Sequence, residues 1–533
     1  MTQAMARRQA GRFSIRWDED RARIARAQGH WVDATLADAL ERAACETPDR
    51  VLLVDGATRL DARTLHARAR ALAMALVGRM EPGSVVSFML PNWHEAAIVY
   101  CGATLAGMVV NPILPSLRDH DLAFSLADAG SRIVFVPAIF RGHDYAAMLA
   151  RVAAGMVDPP EIVVLRGVED GADTFTQMLH AGDTACLPPR DPDAVRMVMY
   201  TSGTTGRPKG VLHTHNSIHA LIGQIGRHWH VAPGDSFLVP SPISHIGGSI
   251  YAFEAPLLLG TRAVLMDQWD PQAALALMAA EGVTHMAGAT PFLQHLLACA
   301  RAAGDHLPAL KFFVCGGASV PPALIEEARG WFARAVVTRV YGSTEVPVIT
   351  VGAPDPADAA HAAATDGRPG IAEVRLGPGD EILARGPQML AGYLHPEDEA
   401  GAFDADGFFR SGDQGCWVDG AWLVVSGRLK DLIIRNGENI APKEIEDILL
   451  DHPGVREIAI VGVPDPRTGE RACAVVVPRE GHAVDVADLA ALLTERGVAR
   501  FKFPEQVVLR GALPRNEAGK VLKHVLRREL VAV

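Results

Sequence analysis

The sequence predicts an α/β protein, with a large N-terminal domain of layered α/β subdomains over residues 1–426 and a small C-terminal α+β domain over 427–533. Three observations carry this. At about 150 residues per domain, a chain of this length makes roughly three or four folding units. From Thr35 onward, strand-like and helix-like stretches alternate, the pattern of parallel sheets covered by helices. Near Gly427 that rhythm gives way to short strands, tight turns and two helices, enough for an independent domain.

Residues 1–30 hold seven arginines and little periodicity, and read as a surface arm with a short helix. Leu36–Ala44 has helical spacing. Val51–Asp55 and the stretch from Arg59 read as a hairpin before a helix over Ala62–Val77. Ser84–Leu90 is a strand ahead of Pro91-Asn92, Glu95–Gly107 a helix, and Val109–Val110 and Ile133–Val136 buried strands. Ala194–Met199 and Val211-Leu212 are apolar strands flanking a glycine-rich run, and Phe312–Val314 is another. Beyond Gly427 come a strand at Leu432–Ile434, a turn at Asn436-Gly437, and a helix with Pro442 near its start, where a missing N–H is harmless. Strands at Ile458–Gly462 and Ala472–Val477 enclose the loop Pro464–Gly469, and Val484–Arg496 is a helix.

Composition narrows the function. Lys plus Arg is 51 and Asp plus Glu 62, a net charge of −11, which argues against a dedicated nucleic-acid binder. Seven scattered cysteines without a Cys-x-x-Cys pair fit a reducing cytoplasm better than a disulfide framework or a cysteine zinc site. No stretch is apolar enough for a signal-peptide core or a membrane span. Residues 427–533 carry 17 basic and 16 acidic residues, so the rest carries 34 against 46. Within 500–533 eight basic residues face three acidic ones, either a solvated face or a surface for a polyanionic small molecule.

The most informative run is Met199-Tyr-Thr-Ser-Gly-Thr-Thr-Gly-Arg-Pro-Lys-Gly210. Gly203 and Gly206 let backbone N–H groups turn toward one anion, Ser202, Thr204 and Thr205 add hydroxyl donors beside Thr201, and Lys209 adds a point charge. Such a loop suits a polyphosphate. It is not a Walker A loop, because Gly210 rather than Ser or Thr follows Lys209.

With this run the chain resembles the adenylate-forming superfamily of acyl-CoA synthetases, nonribosomal-peptide adenylation domains and beetle luciferases, and is most like a stand-alone acyl-CoA synthetase. The likeness extends from about Val32 to Leu530 through further motifs in order. Tyr341-Gly342-Ser343-Thr344-Glu345 resembles the second signature, which implies that Tyr341 packs on adenine, Thr344 meets the α-phosphate and Glu345 helps hold Mg²⁺. Cys315-Gly316-Gly317-Ala318 resembles the loop lining the adenosine pocket. Phe409-Arg-Ser-Gly-Asp413 resembles the motif whose carboxylate accepts both ribose hydroxyls; Ser411 stands where Thr is common. Gly427-Arg428-Leu-Lys430-Asp431 marks the junction, with Arg428 on ribose or phosphate and Lys430 as hinge. Pro514-Arg-Asn-Glu-Ala-Gly519-Lys520 resembles the motif of the adenylation lysine, whose cation offsets the repulsion between carboxylate and α-phosphate. Phe501 replaces a common Tyr, and an extra acidic residue lies in Gly379-Asp-Glu-Ile.

The resemblance therefore implies catalytic roles for Lys520, Thr205, Glu345 and His245, and substrates ATP with Mg²⁺, coenzyme A and a carboxylic acid. Ser241-Pro-Ile-Ser-His245-Ile246-Gly247-Gly248-Ser249 resembles the start of the acid pocket, with Gly288-Ala289 opposite; His245 is a gate or a substrate contact. No Asp lies between Pro240 and Leu265 to hold an amino acid's ammonium, so a hydrophobic fatty, alicyclic or aromatic acid is expected. Asn436-Gly437-Glu438-Asn439-Ile440 resembles the segment that lines the pantetheine tunnel after the small, mobile domain rotates. No carrier domain is fused, which favours free CoA; transfer to a separate carrier protein, a kinase-like enzyme releasing ADP and a non-catalytic ATP-binding relative remain alternatives. A homodimer is allowed. The cluster His213, His215 and His219 has a spacing that does not align imidazoles for zinc.

Overall fold

The computed structural model of the chain describes residues 6–167, 174–180, 186–201, 207–317, 320–332, 334–436, 438–515 and 519–531. Two seven-stranded sheets form the frame of the N-terminal part. The first runs Glu161–Leu165, Ser131–Pro137, Val85–Phe88, Val109–Pro112, Val195–Thr201, Lys209–Thr214 and Gly392–Tyr393, parallel until its last two members turn antiparallel. The second runs Val336–Val340, Phe312–Gly316, His285–Gly288, Ser236–Val239, Arg262–Leu265, Val51–Asp55 and Thr58–Asp61, antiparallel only in its last pair.

Helices Leu36–Glu46, Ala62–Val77, His94–Leu105 and His215–His228 lie between the two sheets, and one apolar cluster joins them to both. His94–Leu105 is buried from Ala96 to Leu105 on every face, as expected of a helix that is apolar all round. Pro271–Glu281, Thr290–Ala303 and Pro322–Trp331 cover the outside of the second sheet, while Asp119–Ala129 and Tyr145–Ala154 cover the first. The result is five alternating layers. In open parallel sheets of this kind ligands bind beyond the carboxyl ends of the strands, and the strands ending at Thr201, Val239, Gly288, Gly316 and Val340 bring the motif residues there.

A four-stranded antiparallel sheet, Glu373–Leu376, Glu381–Arg385, Phe409–Val418 and Trp422–Arg428, follows. Its last strand runs through Gly427. After a 3₁₀ turn at Leu429–Asp431, the C-terminal unit builds a five-stranded sheet from Ile433–Arg435, Glu438–Ile440, Val455–Asp465, Gly469–Pro478 and Gln506–Leu509, packed by Pro442–Leu449, Val486–Glu495 and Lys523–Val531.

The N-terminal segment differs from the expected surface arm. Arg7–Ala10 and Phe13–Arg16 form a hairpin and Glu19–Ala27 a helix, with Phe13, Ile15, Trp17 and Trp31 buried. Arg7 and Arg16 pair with Glu399 at 2.9 and 3.1 Å, Arg16 lies 3.5 Å over the Phe403 ring, and Trp31 Nε1 donates to Pro387 O at 2.9 Å. Its apolar residues are too few for a periodicity, and they pack on Val85, Val109, Val195, Val198 and Leu212, far along the chain, while its polar contacts to Glu399 and Pro387 lie more than 350 residues away.

Candidate active site

The glycine-rich run is the connection of a hairpin: Val195–Thr201 pairs antiparallel with Lys209–Thr214, and Thr201 stands opposite Lys209. Thr201 and Lys209 therefore face each other across the base of the loop. Ser202, Gly203, Thr204, Thr205 and Gly206 lie outside the described residues. The Lys209 ammonium donates to Asp398 O at 3.0 Å and sits 5.2 Å over the Tyr393 ring. The Tyr393 hydroxyl donates in turn to Glu345 Oε1 at 3.1 Å. One tyrosine thus separates the cation of the first motif from the carboxylate of the second.

The second signature turns sharply. At Gly342 a Cβ would lie 2.5 Å from Val348 N, so no other residue fits without moving backbone. Ser343 Oγ accepts Val346 N–H at 3.2 Å, and Glu345 O accepts Leu390 N–H at 2.7 Å. Thr344 O is 2.8 Å from His213 Nε2 and His213 Nδ1 is 3.1 Å from Ser217 Oγ. Burial holds the imidazole at a pKa of about 4, hence neutral. A carbonyl can only accept, so Nε2 carries the proton and Nδ1 accepts from Ser217. His213 therefore fixes the main chain next to Glu345. His215 and His219 go elsewhere: one accepts Leu36 N–H at 3.4 Å, the other meets His30 O at 3.2 Å.

Replacing His213 by leucine should leave the Thr344 carbonyl without its donor, worth about 1–3 kcal/mol. The expected result is a roughly tenfold lower kcat/KM for ATP with little change in melting temperature. His213→Gln, which retains an N–H at that place, should recover most of it.

Tyr341, Asp413 and Arg428 form a linked group. The Tyr341 hydroxyl donates to Asp413 Oδ2 and the Arg428 guanidinium pairs with Oδ1, both at 2.8 Å. Burial, then the Asp413 charge, keeps the Tyr341 phenol protonated far above its usual range. Ser411 Oγ donates to Ile382 O at 2.7 Å and accepts Asp413 N–H at 3.0 Å, so a serine hydroxyl suffices at this position. Gly316 has no room for a Cβ, which would lie 2.7 Å from Val340 O; Gly317 has φ +81° and faces open space. Ala318 lies outside the described residues.

The C-terminal unit reaches into this group. Gly519, with φ +79°, packs against Ala289 and Pro291, just past Gly288. Burial, then Arg428, lowers the Lys520 ammonium to about 8, with Asp413, Lys430 and Asp431 also in electrostatic reach. Lys430 is lowered by the same two causes. Three cations beside two carboxylates leave positive charge in excess, as an anionic ligand requires. Glu438, by contrast, is exposed on the edge strand Glu438–Ile440, away from Val455–Asp465, the strand that holds the Lys520 loop through the Arg515–Glu457 pair at 2.7 Å. Gly437 lies outside the described residues. The basic run after residue 500 is no open patch: Lys502, Arg510, Arg515, Lys523 and Arg527 pair with Glu444, Glu529, Glu457, Glu446 and Asp431.

At the acid side, His245 caps the turn Ile246–Ser249, its Nδ1 accepting Gly247 N–H at 3.2 Å. The ring keeps an open face, yet desolvation by the surrounding protein lowers its pKa. Gly248 is wedged onto the backbone, where a Cβ would lie 2.1 Å from Pro242 O. Ser249 is fully buried, its hydroxyl turned to Ile246 O, and stands behind the wall rather than on it. Gly288 makes room for the Phe292 ring.

Sequence patterns did not reveal Tyr393, Asp398 or His213 as part of this site. The one available signal was a histidine inside the otherwise apolar strand around Val211-Leu212.

Residues 40–394 match the AMP-binding enzyme family and 444–520 the AMP-binding enzyme C-terminal domain. The medium-chain fatty-acid–CoA ligase of Escherichia coli (strain K12) is 33% identical over 542 residues, covering 98% of this chain and 94% of that protein. The methyl-dioxo-octahydro-indenyl propanoyl:CoA ligase of Rhodococcus jostii (strain RHA1) is 34% identical over 513 residues, covering 93% and 98%. The ATP-bound MatB of Rhodopseudomonas palustris superposes with a TM-score of 0.82 at 29% identity, covering 92% and 98%.

Proposed function

Because the chain belongs to the AMP-binding enzyme family, we propose that it is an ATP-dependent acid–thiol ligase, joining a hydrophobic carboxylic acid to coenzyme A through an acyl-AMP. The observation that carries this is the seating of Lys520, delivered from the C-terminal unit to the Asp413–Arg428 pair and beside the Gly288 end of the acid pocket. Catalysis of the first step needs a cation at that place. The acid's oxygen attacks the α-phosphate, the α–β anhydride bond breaks and pyrophosphate leaves; both reactants are anionic, and the Lys520 ammonium stabilises the charge that gathers between them. Asp413 accepts from the ribose hydroxyls, and Tyr341 and the Gly316-Gly317 turn flank the adenine. Glu345, with one oxygen held by Tyr393, suits Mg²⁺, which takes one or two carboxylates plus substrate phosphates and there neutralises the phosphate charge.

The second step needs a thiol path where Lys520 now sits. Rotation of residues 431–533 about Lys430 would withdraw the lysine and bring the opposite edge, with Glu438, to the cleft. Activation as acyl-AMP replaces hydroxide, a poor leaving group, by AMP. The cysteines are free, which suits the cytoplasm as the place of reaction. Among the described residues no helix is long and apolar enough to cross a membrane.

The test is one incubation of the full chain with ATP, Mg²⁺, CoA and a panel of acids. AMP, pyrophosphate and acyl-CoA are expected in equal amounts. ADP as product would overturn the reading. Acyl-AMP that accumulates without consuming CoA would redirect it to a carrier-protein acceptor.

A further inference from the structure

Directly below the pocket wall the interior holds a cluster of five rings. The turn Ile246–Ser249 continues as a π-helix, Ile250–Glu254, across the face of the second sheet. Tyr251 on it stacks on Phe237 (centroids 5.0 Å, 13°), Phe237 meets His285 at 4.9 Å, and His285 stacks on Phe312 at 6.3 Å and 8°. Trp229 closes the group, 6.1 Å from Tyr251 and 6.0 Å from Phe312.

Register places these rings relative to the cleft. Phe237, His285 and Phe312 stand side by side on adjacent strands, and two residues nearer the cleft on the same face stand Val239, Ala287 and Val314. Along the central strand exposure falls from 7% at Ala287 to 1% at His285, while Val239 and Val314 on either side are already closed at 1–2%, so the narrow approach to the rings runs over Ala287. The small Ala287 leaves space in the upper layer; Gly288 points to the opposite face, where Phe292 fills its place. Two strand residues span about 7 Å, the depth of one six-membered ring or a short chain.

The layer below cannot yield by simple rotamer changes. His285 Nε2 donates to Trp229 O at 3.0 Å while Nδ1 accepts from Thr284 Oγ1 at 2.8 Å, so the central ring is fixed at both nitrogens. The π-helix is held by Glu254, wholly buried and paired with Arg196 at 2.7 Å, with the Tyr100 hydroxyl donating to the same carboxylate. Close-packed interiors resist insertion of further methylenes.

We infer that this ring cluster is the floor of the acid pocket and restricts the enzyme to compact acids, a single saturated or aromatic ring or a short chain, with Tyr251 and Phe237 setting the length limit. The inference rests on the ligase reading of the same site. It is tested by acyl-CoA formation from straight-chain acids of four to sixteen carbons beside cyclohexane- and benzene-carboxylate. The wild type should use the ring acids and short chains at least a hundredfold better, in kcat/KM, than the sixteen-carbon acid. Tyr251→Ala should raise the ratio of twelve-carbon to ring-acid turnover at least tenfold without changing KM for ATP. Because that variant removes a core ring, Ala287→Leu is made in parallel. Filling the upper layer should depress ring-acid turnover at least tenfold more than that of the four-carbon acid. Equal use of sixteen-carbon and ring acids by the wild type, or unaltered length profiles in both variants, would overturn the floor while leaving the ligase reading intact. Failure of every acid would overturn that reading and the floor with it.

Discussion

Lys520→Ala will abolish pyrophosphate release from ATP and acid, by about 10²–10³-fold or more in rate, while thioester formation from supplied acyl-AMP stays within a few-fold of the wild type. The two half-reactions separate because the positive charge at Lys520 is needed only while two anions approach; in the second step the α-phosphate is already esterified. Equal damage to both steps would refute the role. The same group sets a pH dependence. Burial and Arg428 place its pKa near 8 in the unliganded protein, against a usual 10.5. The ammonium is lost as pH rises through about 8, so kcat/KM for ATP should fall on that limb. Lys520→Arg, charged throughout, should be slower yet lack the limb. For stability the sign is opposite. Between about pH 8 and 10.5 the unfolded chain keeps a proton that the native state has released, so this lysine's contribution to stability increases with pH there and is least favourable below 8.

Glu254→Leu should destabilise the protein by about 3–5 kcal/mol, read as a lower urea midpoint, because it strands the Arg196 guanidinium in a place that is 2% exposed. The pair is not in itself a strong stabiliser, since removing two charges from water offsets most of their attraction. The double variant Arg196→Met with Glu254→Leu should therefore recover most of the loss, often with neutral or slightly favourable outcome. A single variant costing under 1 kcal/mol would show that water reaches the site. Arg196 lies on the strand that ends at Thr201, and Glu254 on the helix that follows His245. One buried contact thus ties the nucleotide side of the cleft to the acid side.

Much of this architecture is legible along the chain. The helix over Ala62–Val77 and the hairpin before it emerge from spacing alone, because their partners are sequential neighbours and their apolar faces are regular. The motifs from Thr201 to Lys520 are legible for a different reason: each keeps its glycines and polar side-chain types at fixed places in a short run. Three things are not. The N-terminal hairpin has two four-residue strands, too short for a pattern, and its burial depends on distant residues such as Val85, Val109, Val198 and Ala391. His213 stands in the sequence only as one of three imidazoles whose spacing does not suit zinc, and its partner, the Thr344 carbonyl, lies 131 residues away. The ring floor assembles from Trp229, Phe237, Tyr251, His285 and Phe312, whose common face exists only once parallel strands are in register.

The N-terminal hairpin also has a consequence for biosynthesis. Trp31 is translated 356 residues before Pro387, to which it bonds. At about 5–20 residues per second, the interval is about 20–70 s, and within it Val85, Val109, Val195, Val198 and Leu212, on which Phe13, Trp17 and Trp31 pack, are made well before Pro387. Arg8 and Arg26 meet Asp193 first, and Arg7 and Arg16 clamp onto Glu399 only when its codon has been read. The first stretch to be made is thus among the last to complete its contacts.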